Sequence, residues 1–515
     1  IGITLALLPR ETPGVEIGRR HFPLNSPFQN GPIRGTDVFI PLSQLVGGAD
    51  MAGKGWNMLN ECLAIGRSIT LPSTASGDAK AGAVVTGAYA RIRKQFGLSI
   101  GRFEGVEEAL ARIGGKAYAI SALAQATAAA VDRGDVPSVP SAIAKYHCTS
   151  MGREVISDVM DVIGGKGIIL GPRNFAGRAW QAAPIGVTVE GANIMTRSLL
   201  IFGQGAILCH PWVMKEMQAA QNPDHRQGLE DFDRNLFGHI RYGISNAVRS
   251  FWFGITGAKF GAAPGDDYTR RYFRKLDRYS ANLALMADVS MLTLGGKLKF
   301  KESLSGRLGD VLSHIYMTSA ILKRYHDDGA PEGDKPLLAW AFHDSVHRIE
   351  TALSDALRNF PIRPIGWLMW ALIFPLGRRA EAPGDRLGHR VASLLMNVNE
   401  ARERLAQGVF LTPCENNPGG RIASYLAKAV AAEPVERKFL KALKGKGIQA
   451  LDYDAQLDEA VREGVLTADE RNQLAELREI TLDAITVDDF DVHELRAATH
   501  YDRDEPGSQP ARAVA

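Results

Sequence analysis

One apolar pattern constrains the fold more than any other feature of this sequence. Seven apolar residues recur at spacings of three and four along one stretch: Phe103, Val106, Leu110, Ile113, Ala117, Ile120 and Leu123. This spacing predicts a long helix with one buried face. Similar patterns predict helices over residues 56–96, 138–163 and 191–208. Four long helices with mostly short connections favour an antiparallel bundle.

The flanking regions have a different character. Residues 1–48 contain short β-branched or aromatic runs separated by Pro, Gly and Asn, which predicts strands, and residues 37–42 are predicted to be the last of them. Residues 221–224 are typical of a linker. Helical patterns then continue to about residue 485, and the polar stretch 501–515 is expected to be disordered.

Composition excludes several classes of protein. The 515 residues are 45% hydrophobic and 23% charged, which is ordinary for a globular protein and excludes a disordered chain or a collagen-like fibre. The longest apolar stretch, residues 365–376, is too short for the roughly 20 residues of a membrane-spanning helix. The four cysteines form no CxxC pair, which argues against a structural zinc site or a disulfide framework.

Charge and histidine spacing add two expectations. The net charge of +3 is uneven, because residues 451–515 are strongly acidic and the remainder is basic. A basic body suits an anionic partner such as a nucleotide cofactor, a membrane surface or an acidic protein. His343 and His347 have a spacing that can bind a metal, but no third ligand is evident and a solvated helix face is the simpler interpretation. We therefore expect no metal site.

Two motifs contain residues suited to a phosphate-bearing ligand. Arg93 and Phe96 stand at the end of a predicted helix, where the guanidinium can bind a pyrophosphate and the ring can pack on a flat cofactor. The alternative is an exposed arginine beside a core phenylalanine. Gly164, Gly165 and Gly167 allow backbone amides to approach a ligand closely. They lack the Rossmann spacing, and a helix C-cap with a turn is the alternative.

The third motif is Glu190 followed by Gly191, at the start of an apolar helix. On its own, this glutamate is also explained as a first-turn carboxylate that the helix dipole favours. Together, however, Arg93-Lys94-Gln95-Phe96-Gly97, Gly164-Gly165-Lys166-Gly167 and Glu190-Gly191 resemble the acyl-CoA dehydrogenase family over residues 1 to about 210. Residues 411–418 and 486–491 resemble the extra C-terminal domain of the bacterial FadE-type enzymes.

The resemblance implies a mainly α fold with a partial β domain. Residues 1–48 would be the end of a β-barrel domain, the C-terminal part of the middle β domain of the family. Residues 49–213 would form the four-helix-bundle domain for FAD and acyl-CoA. Residues 214–490 would form the additional helical domain, followed by an acidic or disordered tail over residues 491–515. Because the chain begins at Ile1 inside an apparent strand, we expect a fragment that is inactive alone.

The resemblance also implies an activity and the residues that perform it. The family oxidises an acyl-CoA, here of medium to long chain, to the trans-2-enoyl-CoA with FAD, the first step of fatty acid β-oxidation. Glu190 would be the catalytic base. Arg93, Phe96, Gly164, Gly165 and Gly167 would contact FAD, whose flavin belongs to a neighbouring subunit. Arg67 and Gly191 would contact the substrate.

The implied partners are acyl-CoA, an electron-transfer flavoprotein and further copies of the chain, in a dimer or larger homo-oligomer, without nucleic acid. The implied location is the bacterial cytoplasm. Residues 363–379, with tryptophans and arginines around an apolar segment, favour peripheral contact with the inner membrane, and a buried helix is the alternative. Two other functions stay open, namely an acyl-CoA oxidase and a non-catalytic helical scaffold or membrane-docking module.

Overall fold

The computed structural model describes residues 2–208, 210–446, 450, 452–492 and 494–495. Helices dominate these residues, and two short antiparallel ribbons accompany them. One ribbon pairs β1 (Val15–Ile17) with β2 (Ile33–Gly35), and the other pairs β3 (Lys94–Gln95) with β4 (Leu98–Ser99). The prediction of a mainly α fold with a partial β region is confirmed.

The predicted strand over residues 37–42 is wrong. This segment forms no ladder, and a 3₁₀ turn follows it at Leu42–Gln44. The neighbouring residues pair with each other instead, because the N–H of Leu7 donates to the carbonyl of Gln44 at 3.0 Å and that of Val46 donates to the carbonyl of Leu5 at 3.0 Å. Pro41 lacks a backbone donor, which disfavours a strand at this point.

Three long helices form the centre of the molecule, and each packs against the other two: α1 (Gly55–Ile92), α2 (Glu104–Asp132) and α3 (Ser138–Ile163). The apolar stripe that predicted α2 is buried from Leu110 to Leu123. Glutamates in the first turn of α2 complement the positive end of its dipole. Packing of the amphipathic face therefore places α2 in the interior, as the spacing predicted.

Shorter helices follow α3 and cover one side of it. They are α4 (Gly165–Ile168), α5 (Gly177–Thr188), α6 (Asn193–Met195), a π-helical turn (Thr196–Ile201) and α7 (Phe202–Leu208). The helix predicted over 191–208 is present from residue 193, although its middle is a π turn. Such turns are rare and are frequent at functional sites. The sequence pattern did not predict α5.

The rest of the described chain is helical. Its helices are α8 (Val213–Ala220), α9 (His225–Thr256), α10 (Arg270–Leu294), α11 (Glu302–Asp327), α12 (Lys335–Arg358), α13 (Arg363–Ile373), α14 (Asp385–Leu395), α15 (Glu400–Ala406), α16 (Pro418–Lys446), α17 (Tyr453–Arg462) and α18 (Ala468–Ile485). Among them, α11, α12 and α14 pack on α2, while α16 packs on α1. One apolar core therefore runs through the bundle and the C-terminal helices.

A glycine allows the closest of these approaches. A Cβ atom at Gly115 of α2 would lie 1.9 Å from the Trp340 ring of α12. Since no side chain fits there, the indole packs directly on the α2 backbone. This contact joins the C-terminal helices to the bundle and keeps α2 buried on both sides.

The segment predicted to touch a membrane corresponds to α13 and the residues after it. The helix buries Met369 and Ile373, while Trp367 and Leu368 are 64% and 58% exposed. None of the described helices is long and apolar enough to cross a bilayer. Of the tail predicted over 491–515, residues 493 and 496–515 lie outside the described residues.

Candidate functional site

Glu190 lies in a tight turn between α5 and α6. Its φ is +55°, and that of Gly191 is +92°. A left-handed conformation is ordinary for glycine but uncommon for glutamate, and such strain persists only where surrounding contacts hold it. The Thr70 hydroxyl of α1 lies 3.2 and 3.4 Å from the two carboxylate oxygens and 2.9 Å from the carbonyl of Gly66, so its one proton is shared among these acceptors. The structure thus brings α1 to the carboxylate.

A buried lysine holds this turn from the other side. The Nζ of Lys145, on α3, donates to the carbonyl of Gly191 at 2.7 Å, to Oδ1 of Asn193 at 2.7 Å and to the carbonyl of Val187 at 3.3 Å. Two of these acceptors are backbone carbonyls that flank Glu190. The ammonium group therefore fixes the chain before and after the strained residue.

Asn193 extends the same network. Its Nδ2 lies 3.0 Å from Oγ1 of Thr149 and 2.9 Å from Oγ of Ser150, both on α3. The asparagine is 4% exposed and Lys145 is fully buried. Burial and, to a lesser degree, nearby Arg67 lower the pKa of Lys145 to about 8, although the charge of Glu190 opposes both effects. Buried polar groups that are fully hydrogen-bonded rigidify their surroundings.

Two predicted substrate contacts lie beside Glu190. The guanidinium of Arg67 is close enough to Gly191 that a Cβ atom there would lie 3.8 Å from its Nη2. Burial lowers the pKa of Arg67, and the charge of Glu190 opposes this shift. The buried Nε of Arg67 has no hydrogen-bond partner among the described residues. This cation is therefore available to an anionic or carbonyl-bearing ligand.

A largely apolar cavity of about 250 Å³ begins next to Thr70 and lies between α1, α3 and α5. Its apolar walls are formed by side chains from all three helices, among them Leu71, Ala75, Ile156, Ala183 and Ile185. Asp78 and Arg153 also line it. The cavity can accept an aliphatic chain, and the Gly186 in its lining precedes Glu190 by four residues.

The remaining predicted residues gather at the far end of α1. Nη1 of Arg93 donates to the Tyr89 hydroxyl at 2.5 Å, and that hydroxyl lies 3.4 Å from the carbonyl of Ile163, directly before Gly164. Burial raises the pKa of Tyr89, while the hydrogen bond and the charge of Arg93 oppose the rise. Two motifs distant in sequence are thus brought together by one tyrosine.

The surface near Arg93 is open. Phe96 is 93% exposed at the tip of the β3–β4 turn, where its φ is +51°. A Cβ atom at Gly164 or Gly165 would meet nothing within 4 Å, whereas one at Gly167 would contact Ile163 and Met160. Gly164 has a φ of +59°. Among the described residues, the one aromatic contact of Phe96 is with Phe103, at 6.3 Å between ring centroids, and the prediction that Phe96 packs on a ligand stays a prediction.

The two groups of residues do not meet within one chain. From Arg67 to Ile92, at the end of α1, the helix rises about 38 Å. Glu190, Gly191 and Arg67 lie at the near end, whereas Arg93, Phe96 and Gly164 lie at the other. Sequence reasoning missed Thr70, Lys145 and Asn193. Lys145 had a signal, because it interrupts an apolar run from Ala142 to Ala144.

Comparisons with known families cover nearly all the described chain. Residues 53–201 match the family described as "Acyl-CoA dehydrogenase, C-terminal domain". Residues 207–490 match the one described as "Acyl-CoA dehydrogenase, C-terminal, bacterial type". The two matches follow each other along the sequence. The first covers the turn with Glu190 and both ends of α1.

Two curated proteins are similar to this chain over part of their length. The chain is 25% identical over 379 residues to a probable acyl-CoA dehydrogenase, FadE10, of Mycobacterium tuberculosis, covering 69% of this chain and 55% of that protein. It is 61% identical over 87 residues to protein HemX of Proteus mirabilis, covering 17% of this chain and 51% of that protein. The chain thus spans about half the length of these curated relatives.

Solved structures share the fold. An acyl-CoA dehydrogenase complexed with FAD from Bacillus anthracis has a TM-score of 0.58 and 15% identity, covering 76% of this chain and 65% of that one. Acyl-CoA oxidase 1 from Yarrowia lipolytica has a TM-score of 0.52 and 16% identity, covering 80% of this chain and 60% of that one. At these identities the similarity is one of fold.

Proposed function

Because the chain belongs to the acyl-CoA dehydrogenase family, with the C-terminal domain of the bacterial type, we propose that it serves FAD-dependent α,β-dehydrogenation of acyl-CoA thioesters. The substrates are medium- to long-chain thioesters and the products trans-2-enoyl-CoA, as in the first step of fatty acid β-oxidation. One observation carries the proposal: Glu190 is held in a strained turn by Lys145 and by Thr70, which lies one turn of α1 before the cavity-lining Thr74.

In this proposal Glu190 removes the α-proton of the thioester. The acyl chain lies in the apolar cavity, which orients the α-carbon toward the carboxylate. A fixed base lowers the activation free energy through proximity, because a mobile carboxylate would have to be oriented again in each turnover. Thr70 and Lys145 supply that order from two different helices.

Negative charge that develops on the thioester oxygen needs a donor. Among the described residues, no hydrogen-bond acceptor faces the backbone N–H of Glu190, so this group is available to the substrate. Arg67 adds a positive charge nearby. A fixed N–H and a cation aimed at a developing oxyanion lower the barrier to proton removal.

Bound FAD would supply the acceptor for the hydride that leaves the β-carbon. Two side chains and two glycines at the far end of α1 fit such a cofactor: Arg93 is a pyrophosphate ligand by chemistry, Phe96 presents an exposed ring, and Gly164 and Gly165 have open space beside their backbone. Gly167 is buried against Ile163 and Met160, so its predicted role would be to allow close packing below the cofactor. Since about 38 Å of helix separates Arg67 from this end, we propose a homo-oligomer in which one chain's Arg93 end completes another chain's Glu190 site.

We further propose that electrons leave through an electron-transfer flavoprotein in the bacterial cytoplasm. Exposed Trp367 and Leu368, with Arg363 stacked 5.9 Å from the Trp367 ring centre, support peripheral contact of residues 363–379 with the inner membrane. The alternative of an acyl-CoA oxidase has the same base and cofactor. It differs only in passing electrons to oxygen. A non-catalytic scaffold would require none of the contacts to Glu190.

The test is flavin reduction in the full-length, FAD-loaded protein. Long-chain acyl-CoA added without oxygen should bleach the flavin absorbance promptly. Glu190→Gln should slow bleaching about 10²- to 10⁴-fold, because the general base is lost. The exposed Glu104→Gln, at the start of α2, is the matched control and should leave the rate unchanged.

Each outcome separates the alternatives. Flavin that stays oxidised in the unmodified protein contradicts the dehydrogenation itself and favours the scaffold. Equal bleaching in Glu190→Gln and the unmodified protein means that another group is the base. If bleaching depends on Glu190 and admitted oxygen reoxidises the flavin with stoichiometric peroxide at the turnover rate, the protein is an oxidase.

A further inference from the structure

Four polar side chains from separate segments meet where the C-terminal helices begin. His210 lies just before α8, Glu216 is on α8, His239 is on α9 and Asp288 is on α10. Nε2 of His210 lies 2.8 Å from Oδ1 of Asp288, and Nε2 of His239 lies 3.1 Å from the same oxygen. The ligand atoms of the two histidines and the aspartate all lie within 4.8 Å of one another.

This cluster is enclosed. The side chain of His210 is 5% exposed, and that of Asp288 is 15% exposed. Oδ2 of Asp288 is buried and has no hydrogen-bond partner among the described residues. A buried carboxylate oxygen without a partner costs folding free energy. A cation bound between the carboxylate and the imidazoles would remove that cost.

The side chains match the preferences of a transition metal. Two imidazoles and one carboxylate are a donor set that binds Zn²⁺ and other divalent transition metals. Nδ1 of His239 lies 2.8 Å from Oε1 of Glu216, which leaves Nε2 for the metal. A carboxylate on the far nitrogen of a histidine is the usual arrangement that orients a metal ligand.

We propose that His210, His239 and Asp288 bind one divalent transition-metal ion, with Zn²⁺ as the best match, and that Glu216 orients His239. The ion would join the segment before α8 to α9 and α10, where the bundle passes into the C-terminal helices. This site is separate from Glu190 and does not depend on the function proposed above. Sequence spacing did not predict it, because its ligands are far apart along the chain.

Metal binding requires one local change. Nδ1 of His210 lies 3.3 Å from the backbone N–H groups of Trp212 and Val213, which is long for hydrogen bonds. When Nε2 binds a metal, the ring proton moves to Nδ1, and these two amides lose their acceptor. The start of α8 should therefore shift when the ion binds.

The experiment uses the purified chain after removal of metals with a chelator. Calorimetric titration with ZnCl₂ should show saturable binding at one ion per chain, and CoCl₂ should give the visible absorption of a site with nitrogen and oxygen ligands. Asp288→Asn and His239→Gln should abolish this binding. Glu216→Gln, which leaves all three ligands in place, should weaken it about 10- to 100-fold.

His225→Gln is the matched control, because this exposed histidine begins the same helix, α9, and should leave Zn²⁺ affinity unchanged. Hydrogen exchange at the amides of Trp212 and Val213 should change when Zn²⁺ is added to the unmodified chain. If no saturable binding at one ion per chain occurs, or if Glu216→Gln and His225→Gln behave alike, the proposal is wrong and protons alone hold the cluster.

Discussion

The two ends of α1 differ in how complete they are. At the end near Thr70, the side chains of one chain converge on Glu190: Thr70 meets the carboxylate, and Lys145 holds the turn around it. At the end near Arg93, Phe96 projects into solvent and Gly164 faces open space. The turn of Glu190 is thus held by contacts within the chain, whereas Phe96 and Gly164, which are predicted to contact FAD, have open space beside them.

Under the proposed function, this difference indicates where a second copy would be needed. A base must be held to a fraction of an ångström, so its supports belong to the same folded unit. A cofactor contact needs only complementary surface, which another chain can supply. Three experiments test whether the two ends of α1 differ in this way, and the first has the largest expected effect.

Oligomers mixed from two variants test most directly whether Arg93 of one chain completes the Glu190 site of another. Arg93→Ala and Glu190→Gln chains are each expected to have little activity alone. After unfolding and random reassembly at equal amounts, flavin turnover should return to about a quarter of the unmodified value, since half of the dimers contain one site with neither substitution. Steady-state acyl-CoA oxidation of the mixture measures this.

Activity that does not return on mixing would mean that Arg93 and Glu190 act in the same chain, despite the length of α1. The control is a mixture of Glu190→Gln with the equally inactive double variant Arg93→Ala/Glu190→Gln. It should stay inactive, because every site in it lacks the base.

Lys145→Met tests the end of α1 near Glu190. The substitution leaves the carbonyl of Val187 and the amide oxygen of Asn193 without the ammonium donor, and the carbonyl of Gly191 keeps only the 3.3 Å hydrogen bond from the Thr196 hydroxyl. The unfolding free energy should therefore fall by about 1–3 kcal/mol. Misplacement of Glu190 should lower kcat about 100-fold, with KM little changed. Denaturant unfolding and steady-state kinetics measure the two effects.

Lys116→Met is the matched control, because Lys116 is also buried in the bundle but pairs with Glu154. It should lower stability without a comparable loss of kcat. A pH series adds a second readout. Because the pKa of Lys145 is about 8 when folded and 10.5 when unfolded, its contribution to stability rises with pH between those values. The rate should fall as the pH rises through about 8, where Lys145 loses its proton in the folded chain. Equal losses of kcat in Lys145→Met and Lys116→Met would contradict the positioning role.

Phe96→Ala tests the end of α1 near Arg93. Since the exposed ring makes one edge contact within its own chain, its removal should leave the melting temperature nearly unchanged. Loss of one aromatic contact should weaken FAD binding by about 1 kcal/mol, or roughly 5-fold. Fluorescence titration with FAD measures this affinity. The nearby Phe103→Leu is the control, and it should lower the melting temperature while leaving the affinity for FAD nearly unchanged. If affinity for FAD is unchanged in Phe96→Ala, the ring does not pack on the cofactor.

Much of the bundle could be predicted from local pattern. The predicted boundaries of α3 match its observed ones, and α2 appears where the apolar stripe indicated. The strand over residues 37–42 failed because strand formation depends on a partner chosen by the whole fold. Helix α5 was missed, because it contains Pro184 and because the alternation of Ile185 and Val187 at its end also fits a strand.

The residues of the candidate site also fall into two groups, those that the sequence predicted and those that it did not. Glu190, Arg93 and the glycines were identified by motif, because their chemistry requires particular residues at particular spacings. Thr70 and Lys145 were not, because a threonine or lysine within a helix has no chemical meaning until its neighbours are known.

The sequence by itself determined most of the helices and the family, and it predicted the reactive residues, since each depends on spacing or residue type along one chain. Tertiary structure alone decided which groups meet. It placed Lys145 on the turn of Glu190, separated Arg93 from that turn by the length of α1, and joined His210, His239 and Asp288. The physical reason is that hydrogen bonds and metal coordination act over about 2–3 Å in space. No separation in sequence fixes such a distance until the helices pack.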